Sequence, residues 1–320
     1  MTCEAKTREL RQLIERTLSA LVDRDYWLLD LPYYANIGDT LIWQGELDFL
    51  GRLPYRCRGQ HAPATFAFPD LPKDDLILFQ GGGNFGDLWP ECHDFKMKVV
   101  EAYPENEFVF FPQTVFFGRE ENLRRTVRAL DGVKCTICAR DRTSYEFLKR
   151  HFNNRILLVP DMAFCMNMSR WAFRGQATDR PLLVLREDKE IRPSEALERL
   201  RTSGAYDISD WPTMTAQTSV ERWRDRLRDG GALRRRLYDL YMRWVYRPYL
   251  IRSGVDLIGP RATVVTTRLH ACILGVLLGK GEIITFDNSY GKNRSFVDTW
   301  LADCESVRVE PDETDEDWEK

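Results

Sequence analysis

The chain has 320 residues, of which 43% are apolar, 12% aromatic and 30% charged, a composition that suits about two globular domains and excludes disorder, a collagen-like repeat and a small disulfide scaffold. No apolar run reaches the roughly 18–20 residues that span a bilayer. The formal charge of -3 divides unevenly: residues 305–320 hold eight acids and two bases, and the other 304 carry +3, which suits an anionic small substrate or membrane surface and is too weak for duplex DNA.

Strand candidates fall at 26–31, 76–79, 108–111, 135–138, 156–159, 182–185, 263–267 and 282–286. Most are unbroken runs of Val, Ile, Leu and Phe, the pattern of parallel strands covered on both faces. Helical patterns lie between them at 39–51, 121–130, 143–151, 194–202, 219–252 and 269–278. The alternation predicts an α/β protein with parallel sheets. A polar, irregular stretch at 166–180, followed by Pro181, sets the expected boundary. It divides a Rossmann-like domain over 1–170 from a second over 171–304, with an acidic, poorly ordered tail over 305–320. Two such domains face each other across a cleft, and ligands gather beyond the carboxyl ends of the strands. The residues that follow each strand are therefore the candidates.

After the first strand, Asn36 and Gly38 suit a tight turn, and Asp39 reads either as a plain N-cap or as a general base facing the cleft. After the second comes Gln80-Gly-Gly-Gly-Asn-Phe-Gly-Asp87, which contains G-x-G-x-x-G at 81, 83 and 86. The next strand ends in Phe111-Pro112-Gln113 rather than an acid, which weighs against a dinucleotide. Gly82, Gly83 and Asn84 still allow close backbone approach to an anion, with a tight strand–helix crossing as the plain alternative. Arg140, in ARDRTS, and Asp161 each follow a strand; ordinary surface ion pairing is the competing explanation for both. Arg186 ends the first strand of the second half, where a guanidinium can grip a carboxylate or phosphate bidentately. Thr266-Thr-Arg-Leu-His-Ala271 is the most informative element, because Arg268, Leu269 and His270 open a helix whose N-terminus attracts anions. Lys292 follows the last strand and adds charge to the same region.

The eight cysteines are scattered, and the N-terminus MTCEAKTREL has no apolar signal-peptide core, so a cytoplasmic protein with free thiols is expected. Cys135 and Cys138 have C-x-x-C spacing, but they lie in an apolar strand and no second ligand pair follows, so no metal site is expected. Segment 219–252 interleaves ten arginines with six Trp and Tyr residues and is interrupted by Gly230-Gly231 and Pro248. It reads as more than one helix, either packed on the protein with solvated arginines or resting peripherally on the inner face of an anionic membrane. No aromatic-bearing sheet pattern supports nucleic-acid binding.

Taken in order, Asn36-Ile-Gly-Asp39, GGGNFGD, ARDRTS, PDMAF, TTRLHA and SYGKN resemble the polysaccharide pyruvyl transferase family over roughly residues 26–301. That resemblance implies a two-domain fold like GT-B glycosyltransferases, with the acceptor on the first domain and the donor on the second. It implies phosphoenolpyruvate as co-substrate, a sugar acceptor that is often lipid-linked, no cofactor, and a cyclic pyruvate ketal as product. It places Arg268 and His270 in the donor site, with Arg186, Lys292 and Arg140 as further basic residues. On this reading Arg268 and the helix amides hold phosphate, and Arg186 or Lys292 holds the carboxylate. His270 protonates the methylene carbon or only binds phosphate, and Asp39 is the base. A nucleotide-sugar glycosyltransferase and a non-catalytic assembly component remain the competing classes.

Overall fold

The computed structural model describes all residues except 189, 216–217, 229–230 and 311–320. Strands β1 (Tyr26–Leu29), β2 (Cys57–His61), β3 (Leu76–Phe79), β4 (Gly82–Gly86), β5 (Glu107–Phe116), β6 (Cys135–Ala139) and β7 (Arg155–Leu158) form one sheet. Strands β8 (Leu182–Val184), β9 (Asp207–Ser209), β10 (Thr263–Thr266), β11 (Glu282–Thr285) and β12 (Val307–Val309) form another. Every pairing between them is parallel. The helices, in order, are α1 (Cys3–Leu18), α2 (Ile37–Leu50), α3 (Pro90–Ala102), α4 (Glu120–Leu130), α5 (Arg142–His151), α6 (Glu195–Thr202), α7 (Pro212–Thr215), α8 (Ser219–Arg228), α9 (Ala232–Tyr241), α10 (Arg247–Ile258), α11 (Leu269–Leu277) and α12 (Lys292–Trp300).

Strand order is β2-β1-β3-β5-β6-β7 in the first sheet, with β4 beside the end of β5, and β12-β11-β10-β8-β9 in the second. Each order reverses once, between β1 and β3 and between β8 and β10. Such reversals open a crevice at the carboxyl ends, because successive connections leave toward opposite faces.

The strands are apolar on both sides because both sides are covered. Leu76 and Leu78 of β3 enter one core, while Ile77 and Phe79 enter another. The first core also takes Leu182, Val264 and Ile283 from the second sheet, so one continuous apolar cluster joins the two halves. Helix α2 sits in it, with eleven of fourteen residues buried, and α11 buries eight of nine. A helix that is apolar all round belongs inside. Helix α1, first in the chain, packs on α11 of the second half. Among the described residues no helix is long and apolar enough to cross a membrane.

Several expectations change. The glycine run does not lead into a helix: Gly82–Gly86 is itself a strand, paired with β5 through a register shift. The N-cap of α2 is Asn36, whose side chain accepts from Gly38 N–H, so Asp39 sits in the first helical turn and is not the cap. The tail starts later than 305, since Val307–Val309 pairs with β11; residues 311–320 lie outside the described residues. Segment 219–252 is α8, α9, a π turn at Met242–Tyr246 and the start of α10. Pro248, which has no N–H to donate, is accommodated in the first turn of α10 just after that π turn. Cys135 and Cys138 face opposite cores across β6, so their sulfurs cannot share a metal or a bond.

Candidate functional site

One cavity of about 500 Å³ lies where the two strand-order reversals meet. Asn36, Asp39, Gly83, Asn84, Arg140, Arg186, Arg268, Leu269, His270 and Lys292 all line it. Gly82 does not line it. It stands behind the wall at φ 135°, a backbone conformation that favours glycine, and a Cβ there would lie 3.5 Å from Asp39 Oδ1. Tyr34, Trp89 and Trp211 supply an aromatic part of the lining.

Arg186 and Arg268 reach the cavity from adjacent strand ends, β8 and β10. The two loops are stitched together by Arg186 N–H donating to Thr267 Oγ1 and Thr267 N–H donating to Val184 O. His270, in the first turn of α11, presses its ring against Gly38 of α2; a Cβ on Gly38 would lie 2.5 Å from His270 Nδ1. On its other side His270 Nε2 lies 3.3 Å from Asp161 Oδ2, too poorly aligned for a hydrogen bond. Asp39 accepts at Oδ2 from Tyr34 Oη and Asn36 Nδ2, both at 2.9 Å.

Each of these cations is paired with a carboxylate. Arg140 is buried and donates to Asp161 Oδ2 at 2.9 Å and to Thr114 Oγ1 at 2.8 Å. Arg186 grips Asp188 bidentately, at 2.8 and 3.0 Å, and reaches Glu190 at 2.7 Å. Arg268 grips Asp210 with Nε and Nη2, which leaves Nη1 3.5 Å from Asp188. Lys292, the first residue of α12, donates to Glu190 at 2.7 Å. Four cations thus meet four carboxylates. Burial alone would raise Asp161 and Glu190, but opposite charge wins: His270 and Arg140 hold Asp161 down at about 2, and Lys292 with Arg186 holds Glu190 well below its usual range. A guanidinium has five N–H groups, so each arginine keeps donors for a ligand beyond its carboxylate partner.

Asn84 lines the cavity, but its amide is committed elsewhere. It donates to Asp30 and accepts from Lys96, a fully buried ion pair with a 2.5 Å separation. The more suggestive feature is its neighbour. A methyl group on Gly83 would lie 3.3 Å from Arg140 Nη2, 3.9 Å from Lys292 Nζ and 4.0 Å from Tyr290 Oη. Donors from two strand ends, β6 and β11, thus converge on the bare Cα of a residue that follows a third, β3.

The sequence did not single out Asp188, Glu190, Asp210 or Tyr290, and it offered Asp161 as a candidate against ordinary surface ion pairing. Glu187-Asp188 beside Arg186 was the one visible signal; Asp210 follows a three-residue strand with no apolar signature. Among the described residues no group of three or more His, Cys, Asp or Glu side chains is placed to hold a metal ion.

The family model for polysaccharide pyruvyl transferases matches residues 36–281, a span that starts at the N-cap of α2, includes Arg268 and His270, and stops short of Lys292. The Bacillus subtilis protein that carries the name pyruvyl transferase EpsO is 31% identical, over 92% of this chain and 93% of its own. Pyruvyl transferase 1 of Schizosaccharomyces pombe is 28% identical, over 90% of this chain and 73% of its own. A crystal structure of an uncharacterized Klebsiella pneumoniae protein superimposes with a TM-score of 0.67 at 18% identity, covering 94% of this chain and 98% of that one, which shows the shared fold. By the family match and these relatives, the chain belongs to the polysaccharide pyruvyl transferase family and is a transferase.

Proposed function

We propose that the cavity takes phosphoenolpyruvate as donor and a sugar of a polysaccharide or oligosaccharide precursor as acceptor, and joins them as a cyclic pyruvate ketal with release of phosphate. The observation that carries this reading is the seat over Gly83, where Arg140 and Lys292 converge, with Tyr290 behind them, beside Arg268 and His270 in one cavity. A small dianionic or trianionic ligand needs several fixed donors on different sides. About 500 Å³ leaves room for an acceptor ring beside it, against Tyr34, Trp89 and Trp211.

The proposal gives each lining residue a role. One anionic group of the donor sits over Gly83 between Arg140 and Lys292, and the other lies at Arg268 and the start of α11. His270 gives its proton to the methylene carbon, which becomes the methyl group, and C2 becomes electrophilic. A sugar hydroxyl attacks C2 and its proton passes to Asp39. The C2–O bond to phosphate breaks, a second hydroxyl attacks, and its proton leaves with the phosphate. The aligned donors stabilise charge on the departing phosphate, and water is kept out by the aromatic lining.

The test follows labelled phosphoenolpyruvate carbon into the saccharide fraction of a producing cell, alongside phosphate release. One phosphate per pyruvyl transferred supports the reading. His270→Gln should retain donor binding and lose about 10²–10⁴-fold in rate. Transfer from a nucleotide sugar, with phosphoenolpyruvate inert, would replace this reading with glycosyl transfer.

A further inference from the structure

Helix α9 has two apolar faces. Tyr238 and Met242 fill the core, and the opposite face carries Leu233, Leu237, Leu240 and, in the π turn, Trp244. The spacings of four, three and four residues put these side chains in one stripe. All are exposed, Leu233 at 74% and Trp244 at 72%. Among the described residues nothing covers them, and a helix stripe of this kind on a water-facing surface marks a contact with something else.

The charge beside the stripe says what. Arg234, Arg235 and Arg236 are exposed on the same helix, Arg234 and Arg236 flanking the stripe on either side and Arg235 lying away from it. The helix has one acid, Asp239, and its carboxylate is turned inward, accepting from Tyr33 Oη and Thr65 Oγ1, both at 2.9 Å. On the neighbouring α8, Trp223 is also exposed, with the Arg226 guanidinium 5.4 Å from its ring centre. Apolar and aromatic side chains flanked by arginines, with the one acid of α9 turned inward, match the boundary between acyl chains and anionic headgroups.

We infer that α9 and its π turn form a docking face for an anionic lipid surface, with Leu233, Leu237, Leu240 and Trp244 entering the interface and the arginines at the headgroups. The face is coupled to the cavity: Tyr33, held by Asp239, immediately precedes Tyr34, and Met214 just before α8 also lines the cavity. The inference stands on this face alone and does not depend on which donor the cavity takes.

The experiment is sedimentation of the full chain with vesicles of phosphatidylcholine, with and without phosphatidylglycerol. The wild type should sediment with the anionic vesicles, be released by high salt, and stay in solution with phosphatidylcholine alone. The double variant Leu237→Gln, Trp244→Ser and the triple variant Arg234→Gln, Arg235→Gln, Arg236→Gln should each bind about tenfold more weakly or worse. Their unchanged melting temperatures and donor binding would show that they are folded. Failure of the wild type to bind anionic vesicles, equal binding by the variants, or a dimer in solution that Leu237→Gln dissociates would overturn the inference.

Discussion

Gly38 and His270 touch across the two halves of the molecule: the first turn of α2 has no side chain where the imidazole lies, and a Cβ there would come within 2.9 Å of three ring and Cβ atoms of His270. The contact ties the orientation of the ring to the helix that carries Asp39. In an ordinary helix a Gly→Ala change stabilises by about 0.5–1 kcal/mol. Here the methyl must push the ring aside. Gly38→Ala should lower kcat by about 10²-fold while donor affinity changes by a few-fold at most, because misplacing a reacting group costs rate before it costs binding. Steady-state kinetics with calorimetry separates the two.

Gly83→Ala tests the seat itself. The backbone of Gly83 does not have a positive φ, so alanine brings no backbone strain; its methyl points at Arg140, Lys292 and Tyr290, and the Arg140 guanidinium must give by a few tenths of an ångström. The donor KM should rise about tenfold or more with the melting temperature unchanged, since the methyl displaces ligand rather than core atoms. An unchanged KM would put the anion elsewhere in the cavity.

Glu190 Oε2 alone accepts from Arg186, Lys292, Tyr290 and Asn288, at 2.7, 2.7, 3.0 and 3.1 Å. It occupies the corner a donor carboxylate or phosphate needs, with its charge opposed to the ligand's. Glu190→Gln keeps the shape and removes the charge. At an effective dielectric near 20 a charge a few ångströms away is worth a few kcal/mol, so donor affinity should improve about tenfold or more. Weaker binding by the variant would show that Glu190 orders the cations rather than competing with the ligand.

His93 gives a pH signature away from the site. Gly86 N–H donates to Nδ1 at 3.1 Å, so the ring proton is assigned to Nε2, 2.8 Å from Thr126 Oγ1. Burial, with Lys96 nearby, pulls the ring from 6.5 down to about 3. Below about pH 6.5 the unfolded chain takes up a proton that the folded chain refuses. Stability should therefore fall as pH drops from about 6.5 toward 3, by at most about 1.4 kcal/mol per pH unit. Urea midpoints measured between neutral and pH 5 should fall less steeply for His93→Gln than for the wild type; equal slopes would contradict the assignment.

The eight apolar runs were legible because most of these strands are covered on both faces, as with β3 and β6, every residue of which is buried; β7, at the sheet edge, is only half covered. The strands that were not legible are short, polar or glycine-built: β2 reads CRGQH, β4 GGNFG, β9 DIS and β12 VRV. Helix α3 hid because buried His93 and Lys96 break its apolar stripe. The cations that line the cavity could be found because they follow strands. Their acidic partners could not, because Arg140 meets Asp161 and Arg268 meets Asp210 only when separate strand ends are folded together. In the sequence such acids look like any solvated loop residue.

Donor binding is the most direct measurement. Phosphoenolpyruvate is titrated calorimetrically into the wild type, into Arg268→Ala and into Gly83→Ala, with a nucleotide sugar in parallel. The account predicts saturable phosphoenolpyruvate binding to the wild type, loss of at least tenfold in both variants, and no heat from the nucleotide sugar. Nucleotide-sugar binding without phosphoenolpyruvate binding, or equal phosphoenolpyruvate affinity in all three proteins, would contradict it.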